Sequence, residues 1–165
     1  MKTSAKRMAM CAMTAALCVV LLLLGAVLEL GMYACPLLAG LCLVPIGSRF
    51  GRKYHIITFA VTSVLCLLLV PNIEENLMFI GLLGWYPILF PKLQKIPRLL
   101  GWLVKLIIFN AVVIAIEWLV MTVLVPEVIG GVFLWILLIL GNITFLLYDW
   151  MLPRLENLMV RIFPK

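Results

Sequence analysis

Apolar residues dominate this chain in long runs, and short polar segments interrupt them. The runs are 8–28, 32–46, 56–70, 77–90, 99–125 and 129–147. Pro, Gly and charged residues mark the breaks, as in GSRFGRKYH at 47–55. A helix of about 20 apolar residues crosses a bilayer core, and a shorter one suffices where the membrane thins or a neighbouring helix covers the backbone. The pattern predicts an all-α integral membrane domain over 1–165 with six transmembrane helices, of which the second and fourth are short.

Composition excludes a water-soluble fold. Apolar residues make up 66 % of the chain and charged residues 12 %, whereas a soluble domain has about half and a quarter. Mean hydropathy is +1.25. A domain of 165 residues leaves much of its area exposed, so it cannot hide this much apolar surface from water. We therefore expect lipid to be the solvent for most of the chain.

The charged residues predict the orientation of the helices. When six helices are threaded from a cytoplasmic N-terminus, every basic residue falls on the inner side. They are Lys2, Lys6, Arg7, Arg49, Arg52, Lys53, Lys92, Lys95, Arg98, Lys105, Arg154, Arg161 and Lys165. Lys105 lies one turn into the fifth helix and is expected to snorkel inward. The outer loops hold Glu29, Glu74, Glu75 and Glu127 instead. The positive-inside rule thus favours six spans with both termini cytoplasmic over four spans with re-entrant pieces.

The sequence contains no recognisable catalytic or metal-binding constellation. Its 5 Cys lie within apolar runs without a Cys-x-x-Cys pair, and its single His is His55, predicted at the inner membrane interface. There is no phosphate-cradling glycine loop. We expect no enzyme activity, no cofactor, no metal and no nucleic-acid partner. Asp149 is predicted to form a salt bridge with a cytoplasmic Arg. Four aromatic residues near span ends are predicted to form an interfacial belt: Tyr54, Trp102, Tyr148 and Trp150.

The first helix carries a stripe of alanines on one face. Ala5, Ala9, Ala12 and Ala16 lie within about 60° of one another around a helix that turns ~100° per residue. Small residues let another helix approach closely, which is how helices associate in lipid. The stripe therefore packs against another span of the same chain or docks the helix of a partner.

Polar residues inside the last two spans predict either a binding site or interhelical hydrogen bonds. Asn110 and Glu117 are seven residues apart in the fifth span, and Trp135, Asn142 and Asp149 repeat that spacing in the sixth. An acid within a span costs about 2.5–3.5 kcal/mol on insertion scales, so it should face a cavity or a partner. Glu117 is interpreted as a ligand-binding group, or as a protonated acid bonded to a carbonyl or to Asn142. The acidic outer loops are either merely solvated or attract cationic solutes.

The chain resembles the substrate-binding S components of energy-coupling factor (ECF) vitamin transporters. Those proteins have six helices, cytoplasmic termini and an Ala-x-x-x-Ala motif in the first helix, which Ala12–Ala16 and Ala5–Ala9 match. Gly84–Leu89 and Tyr148-Asp149-Trp150 also look like S-component-like bacterial membrane proteins. The resemblance implies a bacterial plasma membrane, a small solute such as a vitamin, a coupling transmembrane subunit docked on the alanines, and two cytosolic ATPases.

The resemblance also implies a solute pocket in the outer half of the membrane, closed by the loop between the first two helices. By position, the candidate substrate-binding residues are Glu29, Tyr33, Glu74, Asn110, Glu117, Trp118, Trp135 and Asn142. No signature of a thiamine, riboflavin, biotin or folate member is present. The alternative is a non-transporting six-helix scaffold subunit of a cell-envelope complex. A small ion channel is disfavoured because one deep acid forms no ring without oligomerisation.

Overall fold

A computed structural model describes residues 2–28, 34–93, 97–123 and 131–162, which are almost entirely helical and contain no strand. The α-helices are α1 (Lys2–Leu28), α2 (Ala34–Phe50), α3 (Arg52–Leu69), α4 (Ile73–Met78), α5 (Tyr86–Leu93), α6 (Arg98–Val123) and α7 (Gly131–Ile162). A π-helical turn, Phe79–Leu83, joins α4 to α5. If these three pieces are taken as one interrupted helix, the described chain has the six helical segments that the apolar runs predict.

Three of the described helices are long and apolar enough to cross a membrane. The stretches are Ser4–Leu28, Arg52–Leu69 and Leu100–Val120, and α2 is apolar but shorter. Large apolar side chains such as Val27 and Leu68 lie exposed on the outside of the bundle, as an apolar solvent permits. The helices are compatible with a membrane protein, whereas six crossings and cytoplasmic termini stay predictions.

Neighbouring helices run antiparallel. Along α1 and α2, Arg49 Nη1 lies 3.5 Å from Met10 Sδ, and the Cys18 thiol donates to Ala39 O at 3.3 Å. Along α6 and α7, the Phe109 and Phe145 rings stack with centroids 4.5 Å apart. The buried side chains form two apolar clusters, and both include residues of α2 and of the π-helical turn. One joins α1, α2 and α3, and the other joins α2, α5, α6 and α7.

Asn72 and two glycines shape the fourth helical segment, which the π-helical turn interrupts. Asn72 Oδ1 accepts the Glu75 N–H at 3.3 Å and starts α4. A Cβ on Gly40 of α2 would lie 2.5 Å from Leu83 O, and one on Gly84 would lie 2.4 Å from the Phe59 ring. Glycine at both positions therefore lets α2 and α3 pack tightly against the interrupted helix.

Two side chains bind carbonyl groups at this interruption. Tyr148 Oη donates to Leu83 O at 2.8 Å, and the His55 Nε2–H donates to Gly84 O at 3.2 Å. Both side chains are buried, so the predictions that His55 is interfacial and that Tyr148 belongs to the aromatic belt are wrong. Irregular backbone surrounded by apolar groups needs such partners, which is why these polar residues lie inside.

The last helix is longer than its apolar run. We predicted a span ending at 147, but α7 continues to Ile162. Helical hydrogen bonds do not require apolar side chains, so the helix can extend past its apolar segment. Pro153 lies inside it, where it removes one backbone donor and its ring crowds the carbonyl four residues earlier.

Candidate functional site

Asn110 and Asn142 form a reciprocal clamp between α6 and α7. Asn110 Nδ2 donates to Asn142 Oδ1 at 3.0 Å, and Asn142 Nδ2 donates to Asn110 Oδ1 at 2.9 Å. Each amide also donates to a carbonyl four residues earlier, Leu106 O at 2.8 Å and Leu138 O at 2.7 Å. Both N–H groups of each amide are thus engaged, and a solute would find only oxygen lone pairs here.

Glu117 and Trp118 face different sides of α6, about 100° apart around its axis. Glu117 is 4 % exposed, whereas Trp118 is 67 % exposed on the outside of the bundle. These neighbours therefore do not line one pocket in the described structure. Glu74 lies half-buried on α4, on a different element from both.

Four residues that the sequence analysis singled out cannot be placed with the others. Glu29 and Tyr33, and the outer-loop acid Glu127, lie outside the described residues. Trp135 belongs to α7, but its side chain is outside the described part. The structure therefore brings together Asn110 and Asn142 from the predicted set.

A charged network that the sequence did not predict joins α5, α6 and α7. Lys105 Nζ lies 2.8 and 2.9 Å from the two oxygens of Asp149, and Tyr86 Oη donates to Asp149 Oδ1 at 2.6 Å. Lys105 Nζ also lies 4.7 Å from the centroid of the Phe90 ring. The predictions that Asp149 pairs with an Arg and that Lys105 snorkels are wrong, because pairing with Asp149 compensates the buried ammonium inside the bundle. If Asn110 lies opposite Asn142 on antiparallel helices, Lys105, five residues earlier in α6, lies near Asp149, seven residues later in α7. The spacing of these residues was therefore the available signal for the pair.

A groove opens beside this network. It has a volume of about 890 Å³ and lies between α5, α6 and α7, with Trp102, Lys105 and Asp149 among its lining residues. The Arg154 guanidinium lies 3.4 Å from the centroid of the Trp150 ring, which also borders the groove. Basic residues surround this end of the bundle. Under the predicted topology this end is cytoplasmic, which would place the groove away from the outer depth where the resemblance implies a solute pocket.

The alanine stripe lies on the outside of α1. Ala5, Ala9, Ala12 and Ala16 are all exposed, while the opposite face buries Ala15 and Cys18 against the bundle. The interpretation that the stripe packs against another span of the same chain is therefore wrong for the described helices. Close approach of an external helix remains sterically open.

The most unusual acid is Glu75, which the sequence did not distinguish from Glu74. Glu75 is 0 % exposed, and neither carboxylate oxygen has a hydrogen-bond partner among the described residues. Burial raises the pKa of Glu75 to about 7. The available signal was Asn72, an N-cap residue that places Glu75 within a helix rather than in a solvated loop.

Comparisons with known proteins add no assignment to this geometry. No protein-family model matches the chain, and no curated protein or solved structure matches it.

Proposed function

We propose that this chain is the substrate-binding subunit of an ECF-type uptake transporter in a bacterial plasma membrane. In this role it binds a small solute, such as a vitamin or related micronutrient, from outside. A coupling transmembrane subunit and two cytosolic ATPases supply the ATP-driven step, since the sequence has no nucleotide-binding motif. The protein itself performs no catalysis.

The observation that carries the proposal is the exposure of the alanine stripe. Four alanines on one face of α1 lie uncovered, and the large apolar residues Met8 and Met13 flank them. Small side chains lower the distance at which two helix backbones can pack, and that packing supplies association energy in lipid. Such a surface suits the helix of a coupling subunit.

The position of the stripe also supports this partner. The stripe occupies the first half of α1, the half in which Met10 contacts Arg49. Under the predicted topology this is the cytoplasmic half, so a helix docked here lies close to ATPases in the cytosol.

Buried acids on the outer half favour a cationic or amine-bearing solute. Glu117 on α6 is buried, and under the predicted topology it lies in the outer half of the bundle. A carboxylate in a dry site binds a charged donor more strongly than a neutral one. Selection of an anionic solute would require basic groups that the outer loops lack.

The test is affinity purification of the tagged chain from its native membranes, followed by identification of the accompanying proteins. We expect a membrane subunit and an ATPase pair with the wild type, and neither with Ala12→Leu/Ala16→Leu. Ala60→Leu is the matched control, because Ala60 is an exposed alanine on α3 and its enlargement should leave the complex intact.

Two outcomes would contradict the proposal. One is a persistent complex with a cell-wall protein and no ATPase, which would favour the scaffold alternative. The other is an ATPase complex that survives enlargement of both alanines in a well-folded variant, which would remove the docking role of the stripe.

A further inference from the structure

Three buried oxygen atoms without partners lie on consecutive residues of α4. They are the two carboxylate oxygens of Glu75 and the amide oxygen of Asn76. The two residues are 0 % and 1 % exposed. Buried polar atoms are nearly always hydrogen-bonded, so a group of three unpaired ones needs an explanation.

All three unpaired atoms are acceptors. Asn76 Nδ2 donates to Val70 O at 3.0 Å, and a carbonyl can only accept, so the amide orientation is fixed with its oxygen unpaired. The missing complement is therefore a positive ion or a group rich in N–H donors. No Lys or Arg in the described part of the chain forms an ion pair with Glu75.

The surroundings of Glu75 leave the carboxylate without a compensating charge. Gly25 of α1 faces it so closely that a Cβ there would lie 2.1 Å from Glu75 Oε1 and 2.7 Å from Cys35 Cβ. The Cys35 thiol on α2 and the Cys66 thiol on α3 lie near enough to interact with Glu75 electrostatically. A carboxylate enclosed by a glycine and thiols has lost its hydration and gained no counter-charge.

We infer that the carboxylate of Glu75 is a binding site for one small cation. The cation is a monovalent metal ion or the ammonium group of a small amine, since oxygen atoms serve both as metal ligands and as acceptors for N–H donors. The inference does not depend on the proposed function, because a transporter subunit and a scaffold can each hold such an ion.

A cation accounts for the two carboxylate oxygens better than a proton does. A proton on Glu75 neutralises the charge but leaves the second carboxylate oxygen unpaired, and the new O–H itself needs an acceptor. A metal ion accepts several oxygen ligands, and a primary ammonium group has three donors. Either can engage both carboxylate oxygens.

Protons should compete with the cation at this site. With a pKa of about 7, Glu75 is largely ionised at pH 8.5 and largely protonated at pH 5.5. The titratable groups that interact with Glu75 from the packed helices are the Cys35 thiol on α2 and the Cys66 thiol on α3. The nearest further acids are Glu74 on α4 itself and the buried Glu117 on α6, and more distant titratable groups on these helices include Cys18, Cys42, His55 and Lys105. Cation binding should accordingly be stronger at the higher pH.

The test is thermal unfolding of the full chain in detergent, with tetraethylammonium as the background cation at constant ionic strength. Sodium, potassium and methylammonium chlorides are titrated separately at pH 8.5 and pH 5.5. We expect at least one of them to raise Tm by roughly 5–10 °C at about a hundred times its Kd, with a smaller rise at pH 5.5. A response to sodium or potassium identifies a metal ion, and one to methylammonium alone identifies an amine site.

Two variants separate this site from a general salt effect. Glu75→Gln should abolish the rise in Tm, whereas Glu74→Gln removes a charge from the preceding residue and should retain it. If Glu75→Gln does not fold, Gly25→Ala places a Cβ 2.1 Å from Oε1, which must displace the carboxylate and should weaken the response. The inference is overturned if no cation raises Tm in the wild type, which would leave Glu75 a neutral acid, or if the rise persists in Glu75→Gln or unweakened in Gly25→Ala.

Discussion

Two acids within the bundle, the partly buried Asp149 and the fully buried Glu75, lie at opposite ends and have contrasting environments. Asp149, between α5, α6 and α7, accepts hydrogen bonds from Lys105 and Tyr86. Glu75, at the start of the interrupted helix, has no partner for either oxygen. A paired acid links helices together, whereas an unpaired buried acid calls for a ligand that the chain itself does not supply.

The difference follows from where the basic residues lie. All of them fall at one end of the predicted topology, so a buried acid near that end can find a Lys. An acid at the other end can be neutralised only by a proton or by a cation from outside. The following experiments test this contrast between the two ends of the bundle.

The largest expected effect is an all-or-none difference in chemical labelling between the two ends of the bundle, because the predicted topology puts them on opposite sides of the membrane. Cysteine introduced at Glu74 should react with a membrane-impermeant maleimide in intact cells, whereas cysteine at Lys53 should react only after lysis. Lys53 is exposed, and it is preferable to Gly51, whose φ of +92° would strain a substitution. The unmodified chain with its native cysteines sets the background. Labelling at position 53 in intact cells would overturn the six-span topology.

Removing one member of the paired network should strongly destabilise the protein. Lys105→Met leaves the partly buried Asp149 charged and without its ion-pair partner, and we expect a cost of up to about 3–5 kcal/mol of unfolding free energy. Lys105→Met/Asp149→Leu should recover most of that loss, because it removes both charges. Unfolding by sodium dodecyl sulfate in mixed micelles measures the difference, with the exposed Lys53→Met as control. A single variant as stable as the control would show that the pair is not needed for the fold.

The pH dependence of stability should depend on Glu75 in the absence of small cations. Its pKa rises from 4.5 to about 7 on folding, so the folded state holds the proton more tightly than the unfolded state. The contribution of Glu75 to stability should therefore be fully present below about pH 4.5, fall as the pH rises through about 7, and level off above that. Tm measured from pH 4.5 to pH 8.5 should show this fall in the wild type. The same decline in Glu75→Gln would assign it to another group.

The asparagine clamp should give the smallest effect. Asn110→Leu and Asn142→Leu each leave one amide without its partner, and we expect a loss of about 1–2 kcal/mol with a coupling near 0.6 kcal/mol in the double-mutant cycle. Unfolding in mixed micelles is again the measurement. Unchanged stability combined with weaker solute binding would reassign the two asparagines from a helix clamp to a solute site.

The helical segments could be predicted from the sequence because one dominant factor, burial in an apolar solvent, determines where long apolar runs occur. The interruption of the fourth segment could not, since it depends on Gly40 and Gly84 meeting Leu83 O and Phe59 across the bundle. Those contacts are between helices, and no local pattern contains them. The burial of His55 and Tyr148 follows from the same interruption and was missed for the same reason.

The candidate site was less predictable than the fold. Asn110 and Asn142, each predicted as a site residue from its position in a span, contact each other in the structure. Position along a helix does not specify which way a side chain points, as the exposed Trp118 demonstrates. Glu74 and Glu75 look alike in sequence. Only the capped helix that starts after Asn72 turns one of them inward.

The central claim, that this chain binds a solute for uptake, is tested most directly by mass spectrometry of small molecules carried by the purified protein. We expect one cationic or amine-bearing solute enriched with the wild type and with Glu74→Gln. It should be depleted from Glu117→Gln, because loss of a charge-assisted hydrogen bond, about 1.5–3 kcal/mol, lowers affinity roughly ten- to a hundredfold. A thermal melt confirms that each variant is folded. Absence of any enriched solute from the well-folded wild type would contradict the claim, and equal enrichment in Glu117→Gln would remove Glu117 from the site.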